Sequence, residues 1–82
     1  MKFLRAPGVK DVFGWPSDTS LYEAQRDGTL TKGIPIGLRS KGWPDYECQA
    51  LANARVAGYN DDQLRALVTK LHAQRAELAA TI

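Results

Sequence analysis

The four prolines divide this chain of 82 residues into two unlike halves. Pro7, Pro16, Pro35 and Pro44 all lie in the first 44 residues, and the last 38 residues contain none. Proline has no backbone N–H and a fixed φ angle, so it interrupts helix interiors and central strands. We therefore expect short, punctuated elements in the first half of the chain and mostly helix in the second.

Residues 8–13 and 18–27 have the apolar spacing of two short helices. The apolar stripe of the first segment consists of Val9, Val12 and Phe13. Gly-Trp-Pro at 14–16 ends this segment, and Ser17 is a good N-cap for the second. The inner residues of the second segment are Leu21 and Ala24. Gly28 suits its C-terminal stop, and two short helices joined by a tight turn predict a helix-turn-helix.

Residues 28–43 predict a small basic hairpin directly after these helices. Two short apolar runs flank a tip with the sequence Gly-Leu-Arg-Ser, and Arg39 and Lys41 place positive charge at or beside it. Pro35 cannot donate a ladder hydrogen bond, so its strand is short or at an edge. Such a hairpin is typical of the wing in a winged helix-turn-helix domain, and here the wing would span 34–43.

The second half of the chain predicts two further helices. Pro44 suits the start of the third helix, where a missing N–H costs nothing, and Gly58 ends that helix. Its inner face would consist of Cys48, Leu51, Ala52 and Val56. Asn-Asp-Asp-Gln at 60–63 resembles a capping box and predicts a fourth helix over 61–80. The expected fold is therefore mainly α with a small β-hairpin: a winged helix-turn-helix plus a C-terminal amphipathic helix.

Leucines recur along one side of the fourth helix in a short heptad-like pattern. They are Leu64, Leu67, Leu71 and Leu78, with Val68 between them. Two interpretations stay open: the stripe packs on the chain's own winged domain, or it contacts a second copy of the protein. The corresponding division is a winged domain over 1–58 and a C-terminal helix over 59–82, which joins the same compact unit or serves oligomerisation.

Composition and motif content argue against several classes of protein. A single cysteine, Cys48, excludes an internal disulfide, and no apolar run approaches the ~18 residues of a membrane span. The first residues lack the apolar core of a signal peptide, so we expect a cytoplasmic protein with no membrane contact. His72 and Cys48 have no metal-ligand spacing, and no catalytic triad or phosphate-binding loop is present. We therefore expect neither an enzyme nor a bound metal or cofactor.

The order of motifs over residues 3–57 resembles the AlpA family of small prophage-associated regulators, within the MerR and excisionase winged-helix group. Two features depart from the family pattern: the turn before Ser17 is one residue longer, and the second helix carries Asp18 and Glu23 where basic or neutral residues are usual. The matching segments are Phe3-Leu4-Arg5, Gly14-Trp15-Pro16-Ser17, Leu21-Tyr22, Gly28, Ile36-Gly37, Arg39-Ser40-Lys41-Gly42-Trp43 and Asp45-Tyr46-Glu47-Cys48.

This resemblance implies a DNA-binding protein of a phage or mobile element, either a transcriptional regulator or an excisionase-type recombination directionality factor. Its partners would be double-stranded DNA and an integrase or recombinase. The recognition helix 18–27 would enter the major groove, and the wing would contact the minor groove or backbone. The expected DNA-binding residues are Ser17, Thr19, Ser20, Tyr22, Arg26, Lys32, Arg39 and Lys41.

Charge distribution supports this expectation only weakly. The net charge is +2, and residues 1–43 hold seven of the eleven Lys and Arg residues. Because the acidic Asp18 and Glu23 disfavour phosphate contact, an alternative is a protein-binding module derived from this fold, such as a regulator antagonist acting through 61–80. A phage DNA-packaging subunit with the same winged architecture is a further alternative.

Overall fold

The computed structural model describes residues 1–80, except for the side chain of Ala80, and these residues form four helices and a small antiparallel sheet. The three strands have the spatial order β1-β3-β2. The elements in chain order are β1 (Phe3–Leu4), α1 (Ala6–Phe13), α2 (Asp18–Asp27), β2 (Ile34–Pro35), β3 (Lys41–Pro44), α3 (Asp45–Val56) and α4 (Asp61–Ala80).

The first helix pair follows the sequence closely. α2 has the predicted bounds, and its two predicted inner residues, Leu21 and Ala24, are buried. Ser17 occupies the N-cap position with extended backbone, although its hydroxyl makes no capping hydrogen bond. α1 begins two residues earlier than predicted, because Pro7 fits the first turn of a helix. Val12 is exposed, so the predicted stripe of α1 was wrong at that position.

The sheet contains one strand that the sequence did not indicate. β3 pairs with β2 as the predicted hairpin, and on its other side it pairs with β1, which places Leu4 opposite Trp43. Pro35 lies in β2 at the edge of the sheet, as its missing N–H requires. A strand of two residues carries no measurable alternation of apolar and polar positions, so β1 could not be predicted from the sequence pattern.

Gly42 marks the crowded face of this sheet. A Cβ atom built at Gly42 would lie 3.0 Å from Cδ1 of Ile36 and 3.0 Å from Cβ of Phe3. Any larger residue would therefore push these two half-exposed side chains apart. Because side chains alternate along a strand, Lys41 and Trp43 lie on the opposite face, toward the helices.

α3 and α4 are the two helices predicted for the second half. The capping box is present: the amide of Gln63 donates to Asn60 Oδ1, and the amide of Asn60 donates to Gln63 Oε1, both at 2.9 Å. The predicted inner face of α3 was wrong at Val56, which is 89% exposed. Eight residues carry a helix roughly 80° past two full turns, so Val56 has rotated away from Cys48.

The leucine stripe of α4 packs mostly inside the chain. Two of the four leucines predicted for an oligomerisation surface therefore belong to the core instead. Leu64 and Leu71 are buried in the core with Val68, and Leu67 is partly buried against it. Only Leu78 of the predicted set is exposed. The core residues are Val9, Leu21, Ala24, Leu30, Trp43, Cys48, Leu51, Ala54, Leu64, Val68 and Leu71.

Candidate functional site

A cleft between α2 and the hairpin brings together residues from two separate elements. Tyr22 of α2 lies on one wall, and Arg39 and Lys41 of the hairpin lie on the other. The cleft has a volume of about 300 Å³, and Ala6 and Trp43 complete its lining. The three polar residues were all predicted as site residues from the sequence. We call this feature the helix–hairpin cleft.

The walls of the helix–hairpin cleft are held by well-defined contacts. Trp43 is buried, and its Nε1–H donates to the carbonyl oxygen of Thr31 at 2.9 Å. This bond ties β3 to the segment that leads from α2 into β2, which we call the connector (residues 28–33). At the hairpin tip the amide of Ile36 donates to the carbonyl oxygen of Ser40 at 3.0 Å. The tip is therefore closed, and Leu38 between these residues is fully exposed.

The other expected residues of α2 lie on two different faces. Thr19 and Arg26 are exposed and share the helical face of Tyr22 by their spacing of three and four residues. Ser20 instead lies in a second cleft, of about 310 Å³, between α2 and the start of α4. The helix–hairpin cleft therefore does not include Ser20.

The second cleft is acidic. Its lining includes Glu23 and Asp27 from α2 and Asp61 from α4, with Arg55 as the basic residue. The spacing of Ser20, Glu23 and Asp27 in the sequence already places them on one helical face. Sequence reasoning grouped Ser20 with its neighbours in the chain rather than with this face. We call this feature the acidic cleft.

Asp18, the acidic residue in the first turn of α2, is paired within the chain. Lys10 Nζ of α1 lies 2.8 Å from Asp18 Oδ1. This pairing offsets much of the negative charge that the sequence placed at the start of this helix. Glu23 has no such compensation from Arg26, since the Arg26 guanidinium lies instead 3.9 Å from Asp27 Oδ1.

Lys32 is exposed, and its backbone is held by α4. Its amide donates to Nε2 of His72 at 3.0 Å, and its carbonyl oxygen accepts from Arg75 Nη2 at 2.8 Å. The same guanidinium binds both oxygens of the fully buried Glu47 carboxylate in α3, at 2.8 and 2.6 Å. We call this set of contacts the α4 clamp.

Sequence reasoning missed the α4 clamp. One signal was present: Glu47 lies four residues before Leu51 and seven before Ala54, and that spacing puts a carboxylate on the inner face of α3. A buried carboxylate requires a partner of opposite charge. Nothing in the sequence indicates which of the eleven cations fills that role.

Two aromatic side chains link α1 to α3. The rings of Phe13 and Trp15 stack with centroids 4.4 Å apart, and the Arg55 guanidinium carbon lies 5.7 and 5.9 Å from the two centroids. Trp15 is only partly buried against the core, whereas Trp43 lies within it. Both tryptophans therefore serve packing, and Trp15 also forms part of the acidic cleft.

Within residues 1–80, no group of three or more potential metal ligands is present. Burial raises the pKa of the Cys48 thiol to about 12, with the Glu47 and Asp45 carboxylates adding to the effect. Burial also lowers the pKa of His72, and the nearby Arg75 acts in the same direction. Among the helices of residues 1–80, none combines the length and the apolar character that a membrane span requires.

Comparison with known proteins finds no matching family model, no similar curated protein and no similar solved structure. The geometry of the clefts and the clamp therefore carries the functional argument.

Proposed function

We propose that this protein is a small DNA-binding protein of a phage or mobile element that acts as a transcriptional regulator or an excisionase-type directionality factor. In this proposal, α1 and α2 form a helix-turn-helix, α2 enters the major groove, and the hairpin is the wing on the minor groove or backbone. The observation that carries the proposal is the helix–hairpin cleft, where Tyr22, Arg39 and Lys41 converge from two elements.

The chemistry of this cleft suits a nucleic-acid backbone. Guanidinium and ammonium groups bind phosphate oxygens through charge-assisted hydrogen bonds, and a tyrosine hydroxyl adds a neutral donor. Tyr22 is 58% exposed, and both hairpin cations are exposed, so all three residues are accessible to a ligand. Thr19 and Arg26 extend the same face along α2.

The ion pair between Lys10 and Asp18 bears on how α2 could approach DNA. An unpaired carboxylate at the start of α2 would repel phosphate, and the Lys10 ammonium 2.8 Å away reduces that repulsion. Since few cations face the cleft, we expect each protein molecule to bind weakly, with a modest dependence on salt that reflects the small number of phosphate contacts.

The proposal is tested by fluorescence anisotropy with a labelled duplex of about 30 base pairs, titrated at about 50 and 200 mM salt. Purified protein should bind, and the double variant Arg39→Ala/Lys41→Ala should lose most of that binding. The control variant is Lys70→Ala, which removes a cation from an exposed position on α4. Absence of binding at the lower salt concentration, or equal loss in control and double variant, would contradict the proposed interface.

A second candidate function follows from the acidic cleft. Glu23, Asp27 and Asp61 form a negative surface beside the half-buried Trp15, which suits a basic protein segment rather than DNA. In that case the protein would act as a protein-binding module, such as an antagonist of a regulator. Binding of a basic peptide that is lost in a folded Glu23→Gln/Asp27→Asn variant, with no binding of DNA by the wild-type protein, would favour this alternative.

A further inference from the structure

α4 holds two consecutive peptide groups of the connector from outside the helix–hairpin cleft. The His72 ring accepts from the Lys32 amide, and the Arg75 guanidinium donates to the Lys32 carbonyl oxygen, at 3.0 and 2.8 Å. Both contacts span about half of the chain, since they join residues 40 and 43 positions apart. The clamp is therefore a tertiary contact and not a local feature of a turn.

The connector is also held from the side of the sheet, one residue earlier. The Thr31 carbonyl oxygen accepts from Trp43 Nε1 at 2.9 Å, and Gln25 Nε2 lies 3.4 Å from the same oxygen. Lys32 thus lies between an anchor on β3 and an anchor on α4. Because the connector leads directly from α2 into β2, these anchors define where the hairpin lies relative to α2.

We propose that His72 and Arg75 are positioning residues which hold the hairpin against α2 through Lys32, and that protonation of His72 loosens this hold by removing one of its two hydrogen bonds. Neither residue lines the helix–hairpin cleft. His72 and Arg75 instead contact the backbone of the connector. Through this contact α4 is coupled to the helix–hairpin cleft, although its two clamp residues do not line the cleft.

The chemistry of the imidazole makes the contact depend on its protonation state. Nε2 accepts a hydrogen bond only in the neutral ring that carries its proton on Nδ1. Protonation puts an N–H on Nε2, so that two donors face each other and the bond to Lys32 is lost. The charged groups around the ring are Arg75 on α4, Glu47 on α3 and Lys32 on the connector.

These surroundings favour the neutral ring in the folded protein. Burial lowers the pKa of His72, the Arg75 and Lys32 charges lower it further, and the Glu47 carboxylate only partly opposes them. The His72 contact of the clamp is therefore formed near neutral pH and is lost as the pH falls through the titration of His72. The chain has no other histidine, so a variant at position 72 isolates the contribution of this ring.

The expected direction of the binding change separates this mechanism from simple electrostatics. A protonated His72 adds one positive charge, and charge alone would tighten DNA binding at lower pH. Loosening of the hairpin has the opposite effect, because the cations of the cleft then lose their arrangement relative to α2. Weaker binding at lower pH, with the fold intact, is the signature of the clamp.

Because the role in binding rests on the DNA contact proposed above, the first measurement uses the free protein. Two-dimensional NMR of ¹⁵N-labelled protein follows the amides of Lys32, Gly33 and Ile34 from about pH 7.5 down to about pH 4.5, because the pKa of His72 is lowered. We expect them to shift with the same midpoint as the His72 ring, while the amides of Leu51 and Ala54 stay unchanged. A Lys32 amide that does not follow the ring would overturn the proposal, whatever the protein binds.

The second measurement compares binding of the labelled duplex across the same pH range at constant ionic strength. Wild-type protein should lose about fivefold or more in affinity toward the lower pH, which is the low end of usual coupling between sites. His72→Gln keeps a carbonyl acceptor and does not titrate, so its affinity should stay constant. Lys70→Gln, an exposed change two residues earlier on the same helix, should behave as wild type.

Circular dichroism at each pH establishes that all three proteins remain folded. Tighter binding of wild-type protein at low pH, or an equal loss in His72→Gln, would contradict the positioning role. If wild-type protein binds no DNA at any salt concentration, the proposed function fails, and the NMR measurement still decides whether the His72 contact is lost.

Discussion

Arg75 of α4 binds both carboxylate oxygens of Glu47 in α3, at 2.6 and 2.8 Å, and the Glu47 side chain has no exposure to solvent. A buried carboxylate is tolerated only when a partner of opposite charge satisfies it. This pair also brings the guanidinium within 2.8 Å of the Lys32 carbonyl oxygen. The guanidinium that neutralises the buried Glu47 carboxylate therefore also joins α3, α4 and the connector.

Arg75→Gln should destabilise the protein strongly, because it leaves the Glu47 carboxylate buried without its partner. Loss of one member of a buried ion pair costs about 3–5 kcal/mol. The double variant Glu47→Gln/Arg75→Gln should be less destabilised than the sum of the two single variants. Urea unfolding followed by circular dichroism measures this cycle, and strictly additive free energies would show that the two side chains are not coupled.

Arg39→Ala should weaken DNA binding with a reduced dependence on salt. Arg39 is exposed on the hairpin and lines the helix–hairpin cleft. Loss of one phosphate contact lowers the slope of log K against log salt by about 0.9. Lys70→Ala removes the same charge from α4 and should leave the slope unchanged. An equal change of slope in both variants would place the DNA contact elsewhere on the protein.

Asp18→Asn should strengthen non-specific DNA binding, since it removes a carboxylate from α2 and frees the Lys10 ammonium 2.8 Å away. The same change removes a favourable charge from the first helical turn, so stability should fall by about 0.3–1 kcal/mol. Asp62→Asn is the matched control: Asp62 lies in the first turn of α4 and pairs with Arg65 at 2.9 Å. The stability of Asp62→Asn should fall by a similar amount, but its DNA binding should not increase. Equal affinities of the two variants for DNA across several salt concentrations would contradict the placement of α2 at the DNA.

Cys48 should be unreactive in the folded protein and reactive once the chain unfolds. Its thiol is buried, and its pKa is raised from 9.0 to about 12. In the unfolded chain the thiol ionises near its ordinary pKa, so Cys48 favours unfolding increasingly as pH rises above about 9. Labelling with Ellman's reagent near pH 8 should be slow in buffer and fast in urea. Rapid labelling under native conditions would show that α3 opens locally.

The sequence was most informative where local chemistry determines the structure. α2 has its predicted bounds, and Gly28 ends it in the left-handed conformation, while the capping box at Asn60 and Gln63 fixes the start of α4. The cations of the hairpin tip were predicted in the same way, from a turn between two apolar runs. For these elements, all the information lies within a few neighbouring residues.

Long-range contacts were the part that the sequence could not supply. β1 exists only because Leu4 meets Trp43, and the α4 clamp joins Lys32 to residues 40 and more positions away. The partners in each of these contacts are far apart in the chain, so no local pattern distinguishes them. The position of Ser20 in the acidic cleft follows equally from how α4 packs beside α2.

The two ends of the leucine stripe on α4 should respond differently to substitution. Leu71 is 4% exposed within the core, whereas Leu78 is 51% exposed near the end of the described residues. Leu71→Ala should therefore cost about 2–5 kcal/mol through lost burial and the cavity that remains. Leu78→Ala should cost far less, and Leu71→Asp should unfold the chain while Leu78→Asp remains folded.

Thermal unfolding and analytical ultracentrifugation of the same variants decide between the two interpretations of this stripe. If the stripe served mainly to join two copies, Leu71→Asp would give a folded monomer from a larger wild-type species. Burial of Leu64 and Leu71 beside α3 leads us to expect an unfolded chain instead. Any association of protein molecules along DNA would then depend on Leu78 and the exposed face of α4, and Leu78→Asp should abolish it without loss of the fold.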